Sequence, residues 1–183
     1  MNKLLNKLHH IITVAALVTI GAAIAMAATI GQAVSTVQIM DAYKKPVTIP
    51  NIGTKVVAVF YNDYEGADVN DPCADTLKDA KLDEKTFYSC GIANLMDNPK
   101  WLADWVVRLV VKNKVEKYKT DIFLDKSHFL KDAWNLGDCD NGSVTIIIGK
   151  DKKIKYFKKV TTKEESKAIA PTVLALIKAE MKK

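Results

Sequence analysis

Arginine is almost absent from this chain of 183 residues, with Arg108 the only one. A nucleic-acid reader gathers Arg and Lys on one element, often with aromatics for the bases. Here the lysines are spread along the chain and the net charge is only +6, so no nucleic-acid partner is expected. The Lys-rich runs at 150–159 and 178–183 read as solvated faces. There are three cysteines, Cys73, Cys90 and Cys139, and no C-x-x-C pair. Beyond residue 27 the only histidine is His128, so the paired ligands of a zinc site are missing. No G-x-S-x-G elbow, P-loop or dinucleotide glycine fingerprint occurs. Neither a metal nor a cofactor is expected.

The N-terminus has targeting character. Lys3 and Lys7 form a basic start, Ile11 to Ala25 is apolar, and Ala25-Met26-Ala27 is a small-residue cleavage site. Residues 1–27 are expected to be a signal peptide cut between Ala27 and Ala28; the alternative is an uncleaved anchor. The apolar run is short for a spanning helix. The expected location is therefore periplasmic or secreted, with no stable membrane association after cleavage. Removing the two leader lysines from +6 leaves +4 on residues 28–183, a length suited to one domain.

Residues Ala28 to Ser35 read as a loose leader. Val37, Ile39, Val47 and Ile49 alternate with polar residues around a turn at 41–46, a hairpin pattern. Val56 to Tyr61 is an apolar run expected to be a buried strand. An acidic loop follows, and Asp71-Pro72-Cys73 opens a helix to about Leu82, with Asp as cap and Pro at the first position. Cys73 then stands in the first turn, where free N–H groups favour a thiolate. Asp71 and Asp75 beside it act the other way.

Phe87 to Leu95 reads as a second strand, with Cys90 a small buried apolar residue. Asn98-Pro99 opens a helix from Lys100 to Tyr118. Its apolar face, Trp101, Leu102, Trp105, Val106, Leu109 and Val110, is expected to pack into the core; the sharper alternative is that the edge at Trp101 meets a partner. Asp121 to Leu124 is a short strand, and Ser127 to Trp134 a short helix on which His128 is packed or exposed. Val144 to Ile148 is a central strand covered on both faces, and Ile154 to Phe157 a lysine-marked edge strand. Thr162-x-x-Glu165 caps a last helix, with a kink or restart expected at Pro171. Strands alternating with helices and closing on an antiparallel hairpin imply α/β layers around a mixed sheet.

The leading hairpin, the Val56 strand and the stretch Phe123-Leu124-Asp125…Ala133-Trp134…Val144-Thr145-Ile146-Ile147-Ile148…Asp151-Lys152-Lys153-Ile154 resemble the redoxin branch of the thioredoxin-like superfamily. Within it the chain is most similar to the secreted YtfJ-type periplasmic proteins. The resemblance implies a three-layer α/β/α sandwich with a mixed central sheet and an N-terminal β-hairpin, over residues 28–183. It also implies that the helix start at Cys73 and the loop 139–144 are neighbours. On that basis Cys73 and Cys139 are the candidate site, either a redox pair or a structural disulfide closing a loop of about 67 residues and worth roughly 4 kcal/mol.

The departures are equally specific. Cys73 is followed by Ala74, Asp75 and Thr76, not by a resolving cysteine. The loop before Val144 has no proline, and Asn70 stands where peroxiredoxins carry Thr or Ser. Two functions follow. One is a thiol-redox role in the cell envelope, as oxidoreductase or peroxidase-like enzyme, with a thiol partner. The other is a non-catalytic binding or structural module stapled by Cys73–Cys139 and meeting an envelope protein. The acids Asp63, Glu65, Asp68, Asp71, Asp138 and Asp140 gather at the same end and read as solvated loop residues rather than ligands for a cation such as Ca²⁺.

Overall fold

The computed structural model describes residues 28–183; the expected leader lies outside them. Among the described residues seven strands and four helices follow one another in the order the sequence implies. They are β1 (Gln38–Met40), β2 (Pro46–Thr48), β3 (Val56–Asn62), α1 (Asp71–Asp79), β4 (Phe87–Asn94), α2 (Asp104–Tyr118), β5 (Asp121–Asp125), α3 (Phe129–Ala133), β6 (Ser143–Ile148), β7 (Ile154–Val160) and α4 (Lys163–Met181). One mixed sheet runs β2-β1-β5-β4-β3-β6-β7. The strands β3, β4 and β5 are parallel, while β1, β2, β6 and β7 pair antiparallel. Short β-branched runs supply the centre: every residue of β6 is buried, as is all of β3 but Asn62.

Strand alternation divides the core into two layers. Val57, Val59 and Tyr61 face a first layer with Cys90, Ile92, Trp134 and Cys139. Val56, Ala58 and Phe60 face a second with Cys73, Leu77, Val173 and Ile177. Helices α1 and α4 cover the second face. Helix α2 lies beside α1, tied to it by the Lys114–Asp71 ion pair at 2.6 Å and by Lys78 Nζ donating to the Lys117 carbonyl. The first face is covered by α3, the loop that follows it and the N-terminal segment.

That segment is not loose. Gly31 N donates to the Ile154 carbonyl, Ile154 N to that of Gln32 and Val34 N to that of Lys152, while Ala28 and Val34 are buried. Residues 28–34 thus lie along the start of β7 and satisfy part of its open edge. Helix α4 runs unbroken through Pro171 from its Thr162 cap, whose hydroxyl accepts from Glu165 N at 3.2 Å. The largest departure is α2. It begins at Asp104, because Asn98-Pro99 opens a separate turn closed by Leu102 N on the Pro99 carbonyl. Its inward edge is Val107, Val111 and Val115, of which Val111 is buried. Trp101 (74 % exposed), Trp105 (63 %), Leu109 and Val110 face outward, so core packing fails for them.

Candidate functional site

Three parallel strands end at Asn62, Asn94 and Asp125, and the loops they feed meet at one edge of the sheet. In open α/β sheets that edge is where ligands bind. Cys73 reaches it as expected, in the first turn of α1 with Pro72 beside it. The cap is Asn70 rather than Asp71, and its side chain does not cap the helix. Asn70 Nδ2 donates to Ser143 Oγ, and its Oδ1 accepts from Thr145 Oγ1 at 3.0 Å. Ser143 Oγ in turn donates to Asn62 Oδ1. This buried network joins β3, the helix start and β6, so the start of α1 is locked to the central strands.

The two loops expected to be neighbours do meet. Asp63 joins them: its Oδ1 accepts from Gly66 N at 2.6 Å and its Oδ2 from Asn141 N at 2.5 Å. Gly66 presses so close to Gly142 that a Cβ there would lie 1.9 Å from the Gly142 carbonyl oxygen. Burial pushes the Asp63 carboxyl up, and the two N–H bonds oppose that shift. Three of the other acids are engaged too: Asp68 pairs with Lys163, Asp71 with Lys114 and Lys117, and Asp138 with Lys159. Among the described residues no group of three or more His, Cys, Asp or Glu side chains could hold a metal.

The expected Cys73–Cys139 disulfide is not formed. All three cysteines are free and buried, and the pair is split between the two core layers. The loops are neighbours, but Cys73 turns into the second face and Cys139 into the first, with the sheet between them. Burial drives the Cys73 thiol up to about 12. Its amide, which a thiolate at the helix start would use, donates instead to Ser166 Oγ at 3.2 Å. Cys139 is raised to about 11 by burial, against which Lys131 and Lys159 act. Its Sγ lies 3.7 Å from the Gly137 carbonyl and 3.9 Å from that of Leu136. Cys90 is fully buried, with its thiol pushed up by burial and then by Asp121.

A polar cluster at the same edge escaped the sequence reading. Asp125 is fully buried at the end of β5. Its Oδ2 accepts from Tyr61 OH at 3.2 Å and from the amides of Leu130 and Lys131. Its Oδ1 has no hydrogen-bond partner. Burial, and then the Asp125 and Cys139 charges, push Tyr61 far up. Beside it Asp97 Oδ2 accepts from Asn94 Nδ2 at 2.5 Å and meets His128 Nε2 at 2.8 Å. Partial burial pushes Asp97 up, but the bonds from Asn94 and His128 hold it below its usual value. His128 is not a helix residue: it precedes α3 in the left-handed region (φ 56°) and ties the loop after β4 to the start of α3. Around this cluster the edge carries Met96, Trp101, Trp105 and Phe129 exposed, with Trp101 in an edge-to-face contact with Tyr64 at 6.2 Å.

The fold matches solved structures over most of both chains. The thiol:disulfide interchange protein from Bacteroides sp. is 17 % identical, with a TM-score of 0.55, covering 84 % of this chain and 93 % of that one. Peroxidoxin BcpB from Mycobacterium tuberculosis is 15 % identical at a TM-score of 0.59, covering 84 % and 98 %. The pneumococcal exposed lipoprotein thioredoxin from Streptococcus pneumoniae is 13 % identical at 0.54, covering 79 % and 99 %. These likenesses establish a thioredoxin-like fold. No curated protein matches the sequence. A family profile does match, over residues 52–180, and by it the chain belongs to the family described as bacterial protein of unknown function, YtfJ_HI0045.

Proposed function

We propose that this protein is an exported thioredoxin-fold recognition module of the cell envelope, in which the edge used for thiol chemistry elsewhere has been sealed and given to binding a protein partner. The observation that carries this reading is the state of the thiols. None is exposed, none is paired, and burial raises each of them. A thiol at about 11 holds roughly 300-fold less thiolate at pH 7 than a free cysteine near 8.5. The exposed Trp101 and Trp105 supply large rigid apolar contacts of the kind that anchor interfaces. Export rests on the leader pattern in the sequence, and among the described residues no helix is long and apolar enough to cross a membrane. The similarity to the exposed lipoprotein thioredoxin fits that location.

A second reading, thiol-redox work, is favoured by one observation: Lys131 and Lys159 both act to stabilise a Cys139 thiolate. It assigns the attacking thiol to Cys139 alone. Insulin reduction and peroxide consumption by the purified protein and by Cys139→Ser separate the two. The module reading expects neither activity in either protein. Turnover that disappears in a folded Cys139→Ser protein would replace it with the redox reading.

A further inference from the structure

Residues 28–35 hold on to the fold by hydrogen bonds more than by packing. Only Ala28 and Val34 among them are buried, and both side chains are small. Besides the backbone bonds to residues 152–154, Ala28 N donates to the Asn135 carbonyl at 2.6 Å and Gln32 Nε2 to the Trp134 carbonyl at 3.1 Å. The Trp134 indole donates back to the Ser35 carbonyl at 2.9 Å. Gln32 Oε1 also accepts from Thr29 N at 3.2 Å, so one side chain ties the segment both to itself and to the loop after α3. Gly31 stands in the left-handed region, at φ 90°. Few buried apolar contacts and exposed backbone bonds mark a segment that opens locally, at less cost than global unfolding.

The loop that this segment grips leads to a thiol. Trp134 and Asn135 are followed by Leu136 and Gly137, whose carbonyls lie 3.9 Å and 3.7 Å from Cys139 Sγ. Ala28, Val34, Trp134, Leu136 and Cys139 belong to one apolar cluster. The other two thiols lie elsewhere. Cys73 is in the second layer, under α4. Cys90 shares the first layer but sits mid-strand in β4, between Val59 of β3 and Asp121 of β5. Strands β6 and β3 separate β4 from β7, where the segment is attached.

We propose that residues 28–35 are a strap that gates Cys139 alone: when the strap lifts from β7 and from the 134–137 loop, this thiol opens to solvent while Cys73 and Cys90 stay shut. The gate rests on the sealed-thiol reading above and names the contact that holds one of the seals. Burial is the largest cause raising the Cys139 thiol, and lifting the strap relieves it. What remains is Lys131 and Lys159 favouring the thiolate and Asp138 and Asp140 opposing it. With two charges of each sign, the opened thiol returns towards an ordinary cysteine, about 8.5, and its thiolate fraction at pH 7 rises by up to about 300-fold.

The test uses protein purified from cells expressing the full sequence, alkylated with N-ethylmaleimide at pH 7 without denaturant. The rate at each cysteine is read by digestion and mass spectrometry. Two variants loosen the strap. Gln32→Ala removes the ties to Thr29 N and the Trp134 carbonyl. Gly31→Pro removes the N–H that bonds Ile154 and forces φ away from its native value. Cys139 should label about tenfold faster in Gln32→Ala and about 100-fold faster in Gly31→Pro, with the Cys73 and Cys90 rates unchanged. Gln32→Ala changes a half-buried side chain only, so its result stands even if Gly31→Pro fails to fold. An unchanged Cys139 rate in Gln32→Ala, or equal acceleration at all three cysteines, overturns the strap while leaving the sealed-thiol reading intact. Wild-type Cys139 labelling at the rate of free cysteine overturns that reading and the strap with it.

Discussion

Asp63→Ala removes one small side chain and should loosen the whole sealed edge. In the native chain this carboxylate is buried and bridges two loops through two N–H bonds, from Gly66 at 2.6 Å and from Asn141 at 2.5 Å. Each amide left without an acceptor costs about 1–3 kcal/mol. Burying the carboxyl is itself unfavourable, which is why its pKa is raised, so the full sum is not reached. The expected loss is about 2–4 kcal/mol by urea unfolding at pH 7. The pH dependence has a definite sign. A carboxyl raised in the folded state binds its proton more readily there than in the unfolded chain. Its proton-linked contribution to stability is therefore fully present below the unfolded value, about 3.9, and is lost as pH rises through the folded value. The deficit of Asp63→Ala should accordingly be larger at pH 4 than at pH 7. A loss below about 0.5 kcal/mol at pH 7 would refute the bridge, whereas a deficit that grows with pH would show that the two N–H bonds outweigh burial at this carboxyl.

Gly66→Ala should be worse than a typical loop substitution, because the added Cβ meets the Gly142 carbonyl rather than a side chain that can swing away; thermal unfolding should show a collapse or a loss above about 3 kcal/mol. Thr162→Ala removes the cap of α4 and should cost about 1 kcal/mol in the same measurement, with Thr162→Ser restoring most of it. Cys73→Ala should change stability through a small cavity alone, by about 1 kcal/mol, and should alter neither the oxidation state nor the labelling of Cys139.

How far the sequence could be read depended on which physical signal each residue obeyed. The strands were legible because Val56–Tyr61, Val144–Ile148 and the hairpin pattern leave little choice of conformation. The separation of Cys73 from Cys139 was not legible, because adjacency of loops is a property of the backbone and the face a side chain enters is a property of local parity. Cys73 follows Pro72 into the layer under α4, while Cys139 drops into the layer of Tyr61 and Trp134. Helix α2 misled for a related reason. Its valines at 107, 111 and 115 form one edge and Trp105, Leu109 and Val110 another, and period alone cannot say which one the sheet takes. The polar cluster did leave a trace in the sequence: Asn94 and Asp125 each end an apolar strand with a residue seldom buried. His128 was visible, but its partner Asp97 lies 31 residues away, and only the parallel pairing of β4 with β5 brings them together.

The central claim is that this thioredoxin fold holds its thiols shut. Counting thiols with a colorimetric disulfide reagent at pH 7, first on the native protein and then in denaturant without reductant, tests it directly. The account predicts no thiol reacting at the rate of free cysteine in the native protein and all three reacting once it is unfolded. One thiol labelled within seconds under native conditions, or only one released on unfolding, would contradict it.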